Sequence, residues 1–122
     1  MPQTNIAACN LVSAAAGAAQ ANTAILTPPT GQTVWLAGLT IYGSGATAAT
    51  VVTATLAGII GGNQLFQVNV PAGANTGAFQ FFLQFDPPLQ GVPNTQVSLA
   101  LPSFGAGNAS AGVMLWGWAS QS

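Results

Sequence analysis

The sequence predicts an all-β domain that folds as an antiparallel sandwich or barrel. Apolar and polar residues alternate along several segments, which is the pattern of strands with one buried face. These segments recur about every 12 to 18 residues, with Gly, Pro and Asn turn signals between them. No segment after Asn22 has helical periodicity. Two packed sheets would let the apolar faces of the strands meet across one core.

The first segment, Met1–Asn22, is rich in Ala and Gly and low in complexity. Its Ala run, residues 14–19, has helical propensity, but Gly17 weakens it and so short a helix is marginal. We interpret residues 1–22 as an N-terminal arm that packs on the domain or on a neighbouring copy. Residues 23–122 then form the β-sandwich domain.

Two early strands follow the turn signal at residues 28–31. Thr33–Tyr42 is apolar on both faces, so it is predicted to be a central strand covered on both sides. Thr50–Ala57 alternates, with Thr53 and Thr55 outward. Ala24–Thr27 is a shorter apolar piece ahead of them.

The strand at Phe79–Phe85 is predicted to carry much of the core. Phenylalanine is a good strand former, and the alternate positions of this run are all large and apolar. Prolines at 87 and 88 cannot donate to a ladder, so the strand is expected to end at Asp86. The predicted inward residues are Phe79, Phe81, Leu83 and Phe85, and the outward ones are Gln80, Phe82 and Gln84.

Three further strands complete the predicted sandwich. Leu65–Val70 and Thr95–Leu101 each place three apolar side chains on one face. Gly112–Ala119 is predicted to be the last strand. In the first two, the inward set alternates with the rest: Phe66, Val68 and Val70; Val97, Leu99 and Leu101. In the last strand, Val113, Leu115 and Gly117 lie on one side and Met114, Trp116 and Trp118 on the other.

The charge inventory limits the partners of this chain. The 122 residues include no Lys, Arg or His, and Asp86 is the one charged side chain. Binding to nucleic acid or to anionic lipid depends on cationic side chains, so we expect no nucleic acid and no membrane partner. A net charge of −1 favours self-association, and we expect a homo-oligomer.

The same inventory argues against catalysis. Acid–base chemistry needs a titratable group, and a Ser or Cys nucleophile needs a partner base. Asp86 and Cys9 together are too few for a metal site. We therefore expect no enzyme activity, no metal and no cofactor. Cys9 is interpreted as a small apolar residue or as one half of an intermolecular disulfide, and Asp86 as a turn residue that accepts backbone hydrogen bonds or contacts a partner.

The candidate interface residues are aromatic and apolar. Met114, Trp116 and Trp118 share one face of the last strand, where they either pack on the sheet or form a contact surface. A stacked platform for carbohydrate is a further alternative. Leu11 and Val12 are the corresponding candidates in the N-terminal arm.

The order of these motifs resembles that of small structural proteins of tailed-phage virions. The likeness runs from about Asn10 to Ala119, and includes the lead LVSAAAGAAQANTAILTPPTGQTVWLAGLTIYGSG and the closing strand GVMLWGWA. The resemblance implies a β-sandwich of jelly-roll type. It also implies a place on the capsid exterior, attachment to the major capsid protein or another virion protein, and assembly as a trimer.

The sequence-based hypothesis is therefore a non-enzymatic capsid decoration or cement protein. The chain departs from the resemblance in lacking scattered charged residues. The alternative is a tail or fibre-head adhesin that binds a host glycan through Trp116, Trp118 or loop Asn residues. A third hypothesis is an ice-binding or fibrous surface, which Thr53 and Thr55 favour.

Overall fold

A computed structural model describes residues 11–45, 50–70 and 78–120, which form two four-stranded antiparallel sheets packed face to face. Sheet A has the order β1-β8-β3-β6 and sheet B the order β2-β7-β4-β5. The predicted antiparallel β-sandwich is confirmed. The strands are β1 Leu11–Ala16, β2 Asn22–Leu26, β3 Thr33–Ser44, β4 Thr50–Ala57, β5 Gln64–Val70, β6 Ala78–Gln90, β7 Val97–Leu101 and β8 Ser110–Ser120.

The connectivity is that of a jelly roll. Strands β1 and β8 pair in sheet A, as do β3 and β6, while β2 pairs with β7 and β4 with β5 in sheet B. Successive strands alternate between the sheets except at the β4–β5 hairpin. Eight strands arranged in two sheets in this way bury one face of each sheet in a shared core.

The core consists of the alternate apolar side chains that the sequence pattern places inward. β7 shows this most simply, because Val97, Leu99 and Leu101 are buried and Ser98 and Ala100 are half-buried. β3 lies between β8 and β6, as predicted for a central strand. The largest fully buried side chains are Phe104, Leu26, Leu36, Leu39, Ile41, Leu56, Leu99, Leu101, Leu115, Val34, Val70 and Val97.

The register predicted for the phenylalanine-rich strand is confirmed. Phe79, Phe81, Leu83 and Phe85 are half-buried and pack against the core cluster. The ring of Phe81 lies 5.6 Å from that of Phe66, centroid to centroid, which joins β6 to β5 at the edges of the two sheets. Gln80, Phe82 and Gln84 are exposed on the opposite face.

The predicted end of this strand at Asp86 is wrong, because β6 continues to Gln90. The register shifts where Leu36 faces Leu89 and Gly38 faces Gln84, so the residues around Asp86, including both prolines, bulge out of the ladder. β6 is the last strand of sheet A, and proline is tolerated at edges and bulges where no donor is needed. The Asp86–Pro87 peptide bond is cis.

Part of the predicted N-terminal arm is a strand of sheet A. Leu11–Ala16 is a strand that pairs with β8, and Asn22 begins β2. The described sandwich therefore begins at Leu11, and the boundary expected after residue 22 lies within it. The Ala residues form a strand because an alternating half-buried pattern lets Leu11 and Ala15 pack against the core. Cys9 and the rest of residues 1–10 lie outside the described residues.

Asn108 connects this N-terminal region to β3 and β8 through hydrogen bonds. Its Oδ1 accepts a hydrogen bond from the backbone N–H of Ala19, at 2.9 Å. Its buried Nδ2 lies 2.9 Å from the carbonyl oxygens of Ser44, Gly45 and Ser110. A single amide side chain thus fixes the β1–β2 turn, the end of β3 and the start of β8.

Candidate functional site

The outward side chains of sheet A form a continuous uncharged surface, which we call the outer face of sheet A. The strand registers arrange it in rows that run from β1 through β8 and β3 to β6. One row begins at Val12, the next at Ala14 and the third at Ala16. The rows are Val12–Trp116–Gly38–Gln84, Ala14–Met114–Thr40–Phe82 and Ala16–Gly112–Tyr42–Gln80.

The centre of this face is a stacked aromatic pair contributed by β8 and β6. The rings of Trp116 and Phe82 have centroids 5.6 Å apart and an interplanar angle of 26°. They belong to adjacent rows and reach each other diagonally across β3, because the β3 partner of Trp116 is Gly38, which has no side chain. A Cβ atom at Gly38 would lie 2.4 Å from Cζ2 of Trp116, so only glycine leaves room for the indole ring there.

Tyr42 is accommodated by a second glycine on the neighbouring strand. A Cβ at Gly112 would lie 2.2 Å from the hydroxyl oxygen of Tyr42, so the phenol ring lies over β8. Tyr42 and Met114 are each 37% exposed, while Phe82 is 58% and Val12 62% exposed. Large apolar side chains therefore lie across the face and remain accessible to a partner.

Most of the predicted interface residues are brought together by this face. Met114, Trp116 and Trp118 lie on the face of β8 opposite to the buried Val113 and Leu115, as the alternation predicts. Val12 lies directly opposite Trp116 in the β1–β8 pair. Leu11 points the other way and packs against the core cluster, so it lies on the inner side of β1.

Sequence reasoning missed Phe82 and Tyr42 as members of the site. The alternation did place Phe82 outward, but it could not show that β6 lies two strands from Trp116. The position of Tyr42 over Gly112 depends on the β3–β8 register. Strand order, which is a long-range property, was the missing information.

Trp35 and Trp118 are opposite each other on β3 and β8, at the end of the sheet away from Tyr42. Both are half-buried. The indole Nε1 of Trp35 and the hydroxyl of the neighbouring Thr33 are buried and have no hydrogen-bond partner among the described residues.

Amide side chains flank the aromatic pair. Gln80 and Gln84 are exposed on β6 at the two positions either side of Phe82 that share its face. They are the polar donors and acceptors nearest to the ring along that strand. The face thus combines aromatic rings with neutral hydrogen-bonding groups and has no charged side chain.

Asp86 lies away from these rows, in the bulge of β6. Its side chain is exposed and accepts no hydrogen bond from the described residues. The hydrogen bonds expected for a turn aspartate are therefore not made within the described part of the fold.

A shallow cleft of about 490 Å³ near the other end of β6 is lined by Tyr42, Gly43, Phe79, Gln80 and Ser110, none of them charged.

The outer face of sheet B combines threonine and amide side chains with the exposed apolar residues Ile25, Val51 and Leu65. Thr53 and Thr55 are half-buried on β4, where Thr53 faces Gln67 and Thr55 faces Leu65. Side chains of different size thus lie beside the two threonines. The threonines do not form the regular exposed array that the ice-binding hypothesis requires.

Neither metal chemistry nor a membrane-spanning helix is found in residues 11–45, 50–70 and 78–120. No group of three or more His, Cys, Asp or Glu residues lies together there. No helix in these ranges is long and apolar enough to cross a membrane.

Comparison with protein-family models found no match, and a search of curated proteins found no relative of this chain.

Proposed function

We propose that this chain is a non-enzymatic structural protein of a tailed-phage virion, which decorates the capsid exterior and attaches through the outer face of sheet A. The observation that carries the proposal is the Trp116–Phe82 pair, held on a rigid sheet and bordered by exposed Val12, Met114 and Tyr42. Soluble monomers rarely leave a contiguous apolar surface of this kind uncovered.

The chemistry of the face favours a protein partner with an equally uncharged surface. Aromatic residues and Met are enriched at the centres of protein interfaces, where they are desolvated on binding. Since the face has no charge, its binding energy has to come from apolar burial and neutral hydrogen bonds. The shell formed by a major capsid protein, or by another virion protein, offers a large fixed surface for such contacts.

A second candidate function is glycan binding by a fibre-head adhesin. The observation that favours it is the placement of Gln80 and Gln84 beside the Phe82 ring. Sugar rings stack on aromatic side chains, and amides can hydrogen-bond their hydroxyl groups. A neutral glycan would suit a face that has no charged side chain.

The copy number of the chain in purified particles separates these functions. Particles produced from the genome that encodes the chain should contain hundreds of copies, on the capsid in electron micrographs of antibody-labelled particles. A few copies at the tail tip would support the adhesin instead. Absence of the chain from the particles would overturn both proposals.

A matched pair of substitutions tests the proposed attachment face. Phe82→Gln removes an aromatic ring that is 58% exposed on β6, and Leu65→Gln removes a side chain that is 66% exposed on β5, in the other sheet. Added to particles stripped of the protein, Phe82→Gln should bind at least tenfold more weakly than wild type, and Leu65→Gln should bind normally. Equal binding by the two variants would show that another surface makes the contact.

A further inference from the structure

The two edge strands of sheet A differ in how they are protected against pairing with another chain. β6 has Asp86, Pro87 and Pro88 in a bulge. Charges, prolines and bulges are the features by which proteins prevent edge-to-edge pairing. β1 contains no proline and no charge, and it pairs with β8 without a register shift. β1 is therefore the open edge of sheet A.

The direction of the backbone groups of β1 follows from one hydrogen bond. The N–H of Gly17 donates to the carbonyl of Ala111, at 3.0 Å, directly beyond the Ala16–Gly112 pair. Hydrogen-bonded pairs alternate along an antiparallel ladder, so Leu11, Ser13 and Ala15 bond to β8. The backbone groups of Val12, Ala14 and Ala16 then point to the other side, where no described strand is hydrogen-bonded to the backbone of β1.

We propose that β1 pairs with β1 of a second copy of this chain, antiparallel and around a two-fold axis at Ala14. In this register Ala14 exchanges hydrogen bonds with Ala14 of the second copy, and Val12 does so with Ala16. Each of the three outward-directed residues then donates one bond and accepts one. A two-fold axis centred on Ser13 or Ala15 would leave some of these groups unpaired.

The side chains favour a second copy as the occupant of this edge. Ala14 and Ala16 are small and exposed, so another strand can approach closely. Val12 is 62% exposed and lies beside Trp116, so the added strand would cover it and join the outer faces of the two copies. A net charge of −1 per chain causes little repulsion between identical copies.

The two edges of sheet B, β2 and β5, also have no proline and no charge, but they are less suited to this pairing. At β2 the N–H of Ile25 already donates to Oγ of Ser13 on β1, at 3.0 Å. β5 forms one edge of sheet B, and its outward side chains include the exposed Gln67 and Asn69. These positions share their face with Leu65, which is 66% exposed, so pairing there would cover one apolar side chain but would also bring hydrated amide groups together. β5 therefore provides the matched control for β1.

This inference specifies the self-association that belongs to the proposed function, and it favours pairs over the trimer that the phage resemblance implies. Only the role of this pairing on the particle rests on the proposed function. Its test uses the purified full-length chain without particles. Failure of the pairing would therefore leave attachment to the shell untouched, and failure of attachment would leave the pairing untouched.

The experiment is sedimentation equilibrium of wild type and two lysine variants. Ala14→Lys and Gln67→Lys each add one positive charge to an exposed position of an edge strand. At the two-fold axis, Ala14→Lys puts two like charges opposite each other, which destabilises a strand pair. Wild type and Gln67→Lys should have twice the 12.1 kDa mass of one chain, and Ala14→Lys the mass of one chain.

Two further variants show whether the backbone makes the contact. Ala14→Pro removes an N–H that points away from β8, a position where an edge strand tolerates proline, so the variant should stay folded and become monomeric. Ala14→Thr keeps the N–H and should remain a dimer. The pairing is overturned if wild type is a monomer or a trimer, if Ala14→Lys remains a dimer, or if Gln67→Lys dissociates instead.

Discussion

Trp116 stacks on Phe82 diagonally across β3, with 5.6 Å between ring centroids, because the β3 partner of Trp116 is Gly38, over which the indole ring can lie. The contact joins β8 to β6 without any hydrogen bond between those two strands. It also flattens the outer face of sheet A, since the indole ring lies along the sheet rather than projecting from it. The same glycine therefore serves both the packing of the sheet and the shape of the proposed attachment face.

Adding a methyl group at Gly38 should separate the aromatic pair. In Gly38→Ala the new Cβ would meet the Trp116 ring at 2.4 Å and the carbonyl oxygen of Leu83 at 2.9 Å, and the backbone atom cannot move aside. We expect a loss of about 1–3 kcal/mol in the free energy of unfolding, typical of overpacking. Urea unfolding followed by tryptophan fluorescence measures it.

Gly112→Ala is the matched control for Gly38→Ala. Its Cβ would meet atoms of the Tyr42 side chain, which is 37% exposed and can turn toward solvent. The loss should therefore be smaller than for Gly38→Ala. A larger loss for Gly112→Ala would mean that the Tyr42 ring is held more firmly than the indole of Trp116.

Asn108→Ala should destabilise the protein more than its loop position suggests. The substitution leaves the carbonyls of Ser44, Gly45 and Ser110, and the N–H of Ala19, without their side-chain partner. Leaving a buried polar group unpaired costs roughly 1–3 kcal/mol. Asn69→Ala, at an exposed strand position, should change stability by less than about 0.5 kcal/mol. Thermal and urea unfolding of both variants would test this, and equal midpoints would contradict the role of Asn108.

The phenylalanine-rich strand offers a test of register at adjacent positions. Phe81 is half-buried, so Phe81→Ala should cost less than the roughly 3–5 kcal/mol of a fully buried phenylalanine. Gln80 is exposed, and Gln80→Ala should stay within about 0.5 kcal/mol. Chemical denaturation of the two variants gives the difference, and similar losses would mean that the strand is shifted by one residue.

The sequence predicted the strands well because the alternation of side chains is a local property. It placed Val97, Leu99 and Leu101 in the core and Phe82 on the surface. It could not predict that β6 passes through Pro87 and Pro88, because that depends on β6 being an edge strand. Phe104 was also missed: it is buried within a Gly- and Ser-rich loop that has no periodic pattern.

The candidate site was predicted only in part for the same reason. Trp116, Met114 and Val12 are outward on their own strands, and strand alternation identifies this for β8. That they share one face with Phe82 and Tyr42 depends on the strand order β1-β8-β3-β6. No strand is predicted in the Ala-rich segment because its small side chains carry little strand signal, and its pairing with β8 depends on the tertiary fold.

Two truncations should distinguish the described strand β1 from an accessory arm. A chain that begins at Leu11 keeps every described strand, and one that begins at Thr23 loses β1 and the Ala19 hydrogen bond to Asn108. Removing β1 leaves the edge of β8 unpaired and removes the core contacts that Leu11 and Ala15 make. We expect the shorter chain to lose cooperative thermal unfolding and the longer one to keep it. Circular dichroism melts of both would show this, and a cooperative melt of the shorter chain would restore the arm interpretation.

Attachment to the particle should be insensitive to salt and sensitive to denaturant. No cationic side chain is present, and Asp86 is the one carboxylate side chain, so side-chain ion pairs can form only between Asp86 and cations of the partner. Exposed ion pairs contribute about 0–1 kcal/mol each, whereas apolar burial contributes roughly 25 cal/mol per Å² before the costs of association. Salt screens charges over about 3 Å at 1 M and does not weaken apolar contact. Particles in 1 M sodium chloride should therefore retain the protein in the pellet after sedimentation, and moderate urea should release it before the shell disassembles. Asp86→Asn particles are the control, since their binding should match wild type in both solvents. Release of wild type by sodium chloride alone would show that charge holds the complex together.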